Sequence, residues 1–240
     1  MTEISGANRF MEAFNAIENH LKTRLNDDIS PFMQLAETYV RSYGIPQELP
    51  ALRAFASLRN ALVHNNYYGG KPVAEPVPAV VERIEALADK IIRPPTVMHV
   101  LPHRTVASFD PHDPVSSVLE EIRDNDYSQF PIYEDKSYRG LLTTNCIARW
   151  LAHGLSTVGL VETEPVHAAL EFTEAHDRAV HVPRTMSVPQ AIKTLSPPAD
   201  GSLPPAAVII TQTGKADERP LAIVVANDLP ILVASMDVAT

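Results

Sequence analysis

Residues 127 to 152 constrain this chain more than any other stretch. Phe130, Ile132 and Tyr133 suit a short strand, because aromatic and β-branched side chains pack well on a pleated surface. Glu134 to Tyr138 is polar and fits a hairpin connection. Leu141 and Leu142 follow Gly140 as an apolar run that reads as a second, buried strand. Thr143 to Asn145 then offers capping oxygens to a helix carrying Ile147, Trp150 and Leu151. A strand that runs straight into a helix N-terminus can present backbone N–H groups and hydroxyls to a phosphate.

The order of these residues resembles the second half of a cystathionine-β-synthase-type (CBS) domain. Ser128, Phe130, Pro131 and Ile132, then Gly140, Leu141, Leu142, Thr143 and Ile147 fall where that family carries its pattern. Cys146 stands where the family has an Asp that holds the ribose hydroxyls of an adenine nucleotide, and Asn145 lies beside it. Asp113-Pro114 opens a helix with Val118, Leu119 and Ile122 inward, after extended pieces expected at Val97–Val100 and Thr105–Phe109. A second repeat follows after a segment, Ser156 to Asp177, in which Glu164 to Phe172 is expected to add a helix. Val180–Pro183 and Met186–Pro189 are similar to the family's opening strand and helix start, with Ala191, Ile192 and Leu195 inward. Residues 206–212 form a strong strand pattern, 213–220 a turn and 221–225 its partner. Here Ala222 replaces the family's Gly and Val225 its Thr, while Asp228 keeps the acidic position.

The resemblance implies a tandem CBS pair, a Bateman module, over about residues 96 to 238, with two clefts between the repeats. It implies an adenine nucleotide (AMP, ADP or ATP) as regulatory ligand. The base would lie near Ser128, Phe130 and Pro131. The ribose-phosphate would reach Thr143, with Asn145 standing in for the missing acid, in one cleft, or Asp228 in the other.

The N-terminal part reads as four helices. Phe10, Phe14, Ile17, Leu21 and Leu25 make one apolar stripe over residues 7–25. Ser30-Pro31 reads as an N-cap and first helical residue, followed by a stripe of Phe32, Leu35, Ala36, Tyr39, Val40 and Tyr43, with Gly44 as the stop. A third helix is expected from about Leu49 to His64, with Leu52, Phe55, Leu58, Leu62 and Val63 largely on one side, ended by Asn65-Asn66 and Gly69-Gly70. Val77 to Ile92 is the fourth. Together they predict an all-α bundle, closed by the linker Arg93-Pro94-Pro95-Thr96.

Within the third helix, Arg59, Asn60 and His64 form an Arg-Asn-x-x-x-His pattern. Arg59 and His64 are offset by about 140° on a helix, so on the residues alone the pair suits a solvated face, or a C-terminal cap by His64. The pattern, on the third helix of four, resembles the HEPN family of RNases, as does Phe14-Asn15-Ala16-Ile17-Glu18 in the first helix, with Glu18 as a weaker candidate for the same cleft. That resemblance implies metal-independent cleavage of RNA at a cleft shared by a homodimer. His64 would move protons, Arg59 would stabilise the phosphorane, and Asn60 would orient the phosphate or the imidazole.

The expected architecture is therefore α+β: an HEPN-like helical domain at 1–93, CBS domain 1 at 94–155, and CBS domain 2 at 156–240 with an inter-repeat helix. The net charge of −9 argues against a protein that coats duplex DNA. The single cysteine, Cys146, rules out an internal disulfide and suits a reducing cytoplasm. No signal peptide is visible at the start, and no run approaches the ~18 apolar residues of a membrane helix. His99, His103, His112, His167, His176 and His181 lack metal-ligand spacing, so no metal is expected. Two functions stay open: a nucleotide sensor whose helical domain cleaves RNA, and a non-catalytic regulatory or dimerisation protein that binds a nucleotide and a protein partner.

Overall fold

The computed structural model describes residues 5–43, 45–64, 74–101, 105–157, 164–198 and 200–236. Gly44, Asn65, Asn66, Gly69, Gly70 and His103 lie outside the described residues, as do the side chains of Tyr43 and His64. The chain divides into two units, one of Met1–Pro95 and Met236–Thr240, the other of Thr96–Ser235.

The first unit has helices α1 (Gly6–Leu25), α2 (Phe32–Tyr43), α3 (Leu49–His64) and α4 (Pro78–Ile92). Ser5 caps α1 by accepting from the Asn8 N–H, and Asn26 ends it in the left-handed conformation at φ 51°. Phe10, Phe14, Ile17 and Leu21 are buried, as their spacing requires. Phe10 meets Phe55 of α3 edge-on at 5.9 Å, and Phe14 lies 4.4 Å from Phe32 of α2. Two expectations change in detail. The carbonyl of Pro31 accepts from the Leu35 N–H, so Pro31 is the N-cap of α2 rather than its first residue. The preceding turn is built by Asp27, whose carboxylate accepts from the N–H groups of Ile29 and Ser30. Val63, expected inward, is 42% exposed, because one residue past Leu62 turns the side chain about 100° off the stripe. Before α3, a 3₁₀ turn at Pro46–Glu48 buries the Glu48 carboxylate, which accepts from Lys90 at 2.8 Å and Arg83 at 3.3 Å on α4.

The second unit repeats one pattern twice. In the first repeat, α6 (Val115–Asn125) leads to the antiparallel hairpin β1 (Gln129–Glu134) and β2 (Ser137–Thr143), then α7 (Thr144–Thr157). The hairpin turns through Asp135 and Lys136, both at positive φ (47° and 72°), as the twist of a tight two-residue turn demands. Phe109 bridges Ile132 in parallel. In the second repeat, β3 (Ala179–Pro183) pairs in parallel with β4 (Ala207–Thr211), which pairs antiparallel with β5 (Ala222–Val225), with α9 (Val188–Leu195) between β3 and β4. β4 is the central strand and buried throughout, which is why it reads as an unbroken apolar run. A 3₁₀ turn at Ala226–Asp228 and α10 (Leu229–Ala234) close the repeat. In the 211–218 turn, Gly214 sits at φ +91°, and an added Cβ would lie 3.0 Å from the Pro183 ring.

The pieces before each repeat are exchanged. Val97–Val100, expected to be extended, is a single helical turn, α5, whose first N–H donates to the Met186 carbonyl, and Thr96 bridges Ser187 at the start of α9. In the same way Pro165 bridges Pro114 at the start of α6, the Val115 N–H donates to Glu164, and the Val166 N–H to Asp113. The inter-repeat helix, α8, is Val166–Leu170, shorter than the sequence pattern indicates. It packs Val166 and Ala169 into the first repeat's core beside Phe130, Ile132, Leu142, Cys146 and Trp150. The repeats also meet where the Tyr133 hydroxyl lies 3.2 Å from Nε2 of His181.

Candidate functional site

The two strand-to-helix junctions of the second unit differ in what surrounds them. At the second repeat's junction, β5 ends at Val225 and the chain turns into Asp228. The Asp228 carboxylate accepts from the Val225 N–H at 3.0 Å, which fixes the turn, and the residue is only 7% exposed. This junction faces a cavity of about 110 Å³ lined by Ser128, Gln129, Val225 and Asp228, together with Thr105, Ala107, Asp126, Tyr127, Ile223 and Asn227. Both repeats therefore line it: the approach to β1 from the first, β5 and the 3₁₀ turn from the second. Ser128 donates its hydroxyl proton to Gln129 at 2.7 Å. Among the described lining residues the charged groups are the carboxylates of Asp126 and Asp228. Val225 puts an apolar side chain where the resemblance leads one to expect a phosphate-binding hydroxyl.

Phe130 and Pro131 sit deeper. Phe130 is fully buried against Phe109, ring centroids 5.7 Å apart, and serves packing. Their side chains do not line the cavity; the polar edge there comes from Ser128 and Gln129. Thr105, Asp126, Gln129 and Asn227 escape a sequence reading, since three separate segments supply them and only the packing of one repeat on the other brings them together.

At the first repeat's junction, Thr143 caps α7: its hydroxyl oxygen accepts from the Cys146 N–H at 3.1 Å. The same hydroxyl donates to Asp177 at 2.7 Å, and the Asp177 carboxylate also accepts from the Glu174 N–H at 2.9 Å and pairs with Arg149. Asn145 is exposed on the first turn of α7 and stands apart from this network. The Cys146 side chain is buried, donates to the Ala169 carbonyl, and its thiol is pushed up to about 11 by burial, with the nearby Asp177 carboxylate adding to the effect. It is a small core side chain rather than a nucleophile.

In the first unit, Arg59, Asn60 and His64 all lie on α3. The Arg59 guanidinium lies 6.0 Å from the Phe14 ring and donates to the Asn60 side-chain oxygen at 3.4 Å, while its buried Nε–H has no partner among the described residues. Glu18 pairs with Lys22 one turn on, so its carboxylate is already engaged.

Among the described residues no three His, Cys, Asp or Glu side chains are placed to hold a metal ion, and no helix is long and apolar enough to cross a membrane. The family model of the CBS domain matches residues 97–153, so the chain carries a CBS domain there. No curated protein matches the chain. Solved structures similar to it include CBSX2 in complex with AMP, at 13% identity over 59% of this chain and 98% of that one, TM-score 0.42. A protein with CBS domains from Burkholderia ambifaria MC40-6 is similar at 14% identity over 60% and 98%, TM-score 0.44. The CBS domain pair of MJ0100, in complex with 5′-methylthioadenosine and S-adenosyl-L-methionine, is similar at 15% identity over 60% and 99%, TM-score 0.42.

Proposed function

We propose that this chain is a regulatory sensor that binds an adenosine-bearing ligand, such as AMP, ADP or ATP, in the cavity between its two repeats. The observation that carries the reading is the buried Asp228 carboxylate, held by the Val225 N–H at a strand-to-helix junction and facing the Ser128–Gln129 edge of the other repeat across an open cavity. A fixed carboxylate there accepts from a ribose diol, and charge-assisted hydrogen bonds of this kind are the strong ones. The polar edge at Ser128 and Gln129 has donors and acceptors for a purine, and Ile223 and Ala107 give its faces apolar contact. The CBS-domain match over the first repeat supports the same reading. Titration calorimetry with AMP, ADP, ATP and S-adenosylmethionine tests it. Binding to wild type that Asp228→Ala weakens at least tenfold supports it, and no heat from any of the four overturns it.

A second reading concerns the helical unit. Its Arg59 carries a buried Nε–H without a partner among the described residues, a donor suited to an anion. We infer that the unit is HEPN-like, works as a homodimer and cleaves RNA without a metal through Arg59, Asn60 and His64. Cleavage of RNA in EDTA, abolished by His64→Ala and by Arg59→Ala, supports this. Equal, negligible cutting by all three proteins leaves a non-catalytic regulatory protein that binds the ligand and a protein partner.

A further inference from the structure

The groups that a ligand would need at Thr143 are already spent within the chain. The Thr143 hydroxyl uses its proton on Asp177 and its oxygen on the Cys146 N–H. Asp177 is 5% exposed, its side chain entirely buried. One carboxylate oxygen takes the Thr143 hydroxyl, and the other takes the Glu174 N–H and the Arg149 guanidinium. His176 stands 3.6 Å from it, and Arg149 is itself fixed by donating Nε–H to the Phe172 carbonyl at 2.8 Å. The matching strand entry is closed as well. Ala206 immediately precedes β4 as Ser128 precedes β1, but its N–H is shared between the carbonyls of His176 and Arg178, at 3.2 and 3.0 Å.

We infer that Asp177 is a built-in substitute for an anionic ligand: it closes the Thr143 cleft from within, so the pair of repeats takes one adenosine ligand per chain, at Asp228, and not two. The stoichiometry depends on the sensor reading above; the closure by Asp177 does not. A hydroxyl, a guanidinium and the Glu174 backbone N–H converging on one carboxylate make an environment that would equally hold a phosphate oxygen. The chain supplies that anion permanently at very high effective concentration, so a free ligand cannot compete.

Inorganic phosphate is the probe. The melting temperature of the full chain is followed against phosphate, with chloride at matched ionic strength as control, for wild type, Asp177→Ala and Asp177→Ser. With the carboxylate removed, Thr143 and Arg149 are vacated, and phosphate raises Tm by about 3–5 °C at tenfold excess over its dissociation constant. Wild type shows only the salt response. The serine variant also vacates the site while keeping a polar side chain there, so it decides the matter if the alanine variant does not fold. A phosphate response in neither variant overturns the closure. Calorimetry with AMP gives the second arm: one site per wild-type chain, lost in Asp228→Ala, is expected, and two sites per wild-type chain overturn the inference. Silence with every adenosine ligand overturns the sensor reading alone, while the phosphate arm still decides on Asp177.

Discussion

The hydroxyl of Thr143 donates to the carboxylate of Asp177 at 2.7 Å, although 34 residues separate the two along the chain. The bond joins the end of β2 to the segment just before β3, and its electrostatics are readable in pH dependence. Burial works against the Asp177 carboxylate, but the Thr143 hydroxyl, the Glu174 N–H, and the charges of Arg149 and His176 outweigh it and hold its carboxyl below the ordinary 3.8. A group whose value is depressed on folding contributes stability that is present above its unfolded value and lost as pH falls through its folded one. The groups facing Asp177 are Thr143, Arg149, His176 and Cys146, with the Glu174 carboxylate across Arg149. Urea midpoints are expected to fall as pH drops below about 4, and Asp177→Asn to flatten that fall. Parallel acid limbs in the two proteins would contradict this.

Arg149 is the counter-ion of a carboxylate shut away from solvent. Its side chain keeps 28% exposure, while that of Asp177 has none. Arg149→Leu leaves the buried charge alone, and unfolding free energy is expected to drop by about 2–3 kcal/mol, toward the low side of such losses because the arginine end is partly hydrated. Adding Asp177→Asn to this variant should recover part of the loss, which a double-mutant cycle in urea measures.

Asp228 and Val225 line the open cavity together. Asp228→Ala should weaken AMP binding at least about tenfold through loss of charge-assisted hydrogen bonds. Val225→Thr offers a hydroxyl at the end of β5 and should tighten AMP by about tenfold while leaving a phosphate-free adenosine ligand unchanged. Calorimetry on both variants checks the pair, and a Val225→Thr effect equal for AMP and adenosine would count against a phosphate at that spot.

Gly214 holds φ +91° with the Pro183 backbone nitrogen and ring 3.0 Å from where a Cβ would stand, and its N–H donates to the Thr211 hydroxyl. Gly214→Ala meets both the conformational penalty and the contact, so a loss of about 2 kcal/mol or more in urea unfolding is expected. Gly201, at φ +76° in open space, should lose less on the same change.

Local chemistry made much of this fold legible. The hairpin at 134–138, the cap at Thr143 and the apolar run of β4 each follow from residues within a few positions of one another. Ser187 and Gln190, whose side chain returns to the Ser187 N–H at 3.1 Å, mark the start of α9 in the same way. What the sequence hid depends on pairs far apart. Asp177 looks like one polar residue in a loop; nothing near it reveals that Thr143 and Arg149 converge on it. Asp126 and Asn227 enter the cavity only because one repeat packs on the other. Val97–Val100 carries a strand-like composition, yet its first N–H is claimed by Met186, and the stretch winds into a turn instead.

The reciprocal exchange of lead-in segments has a consequence for how such a module can arise and be divided. Thr96 and Val97 clip onto the second repeat, and Glu164 to Val166 onto the first, so each half is finished by a clasp carried on the other's polypeptide. A cut near residue 155 would therefore not liberate two self-sufficient domains; it would leave two incomplete ones. The module is indivisible for the same reason two interlocked hooks are: neither can be lifted away without opening both.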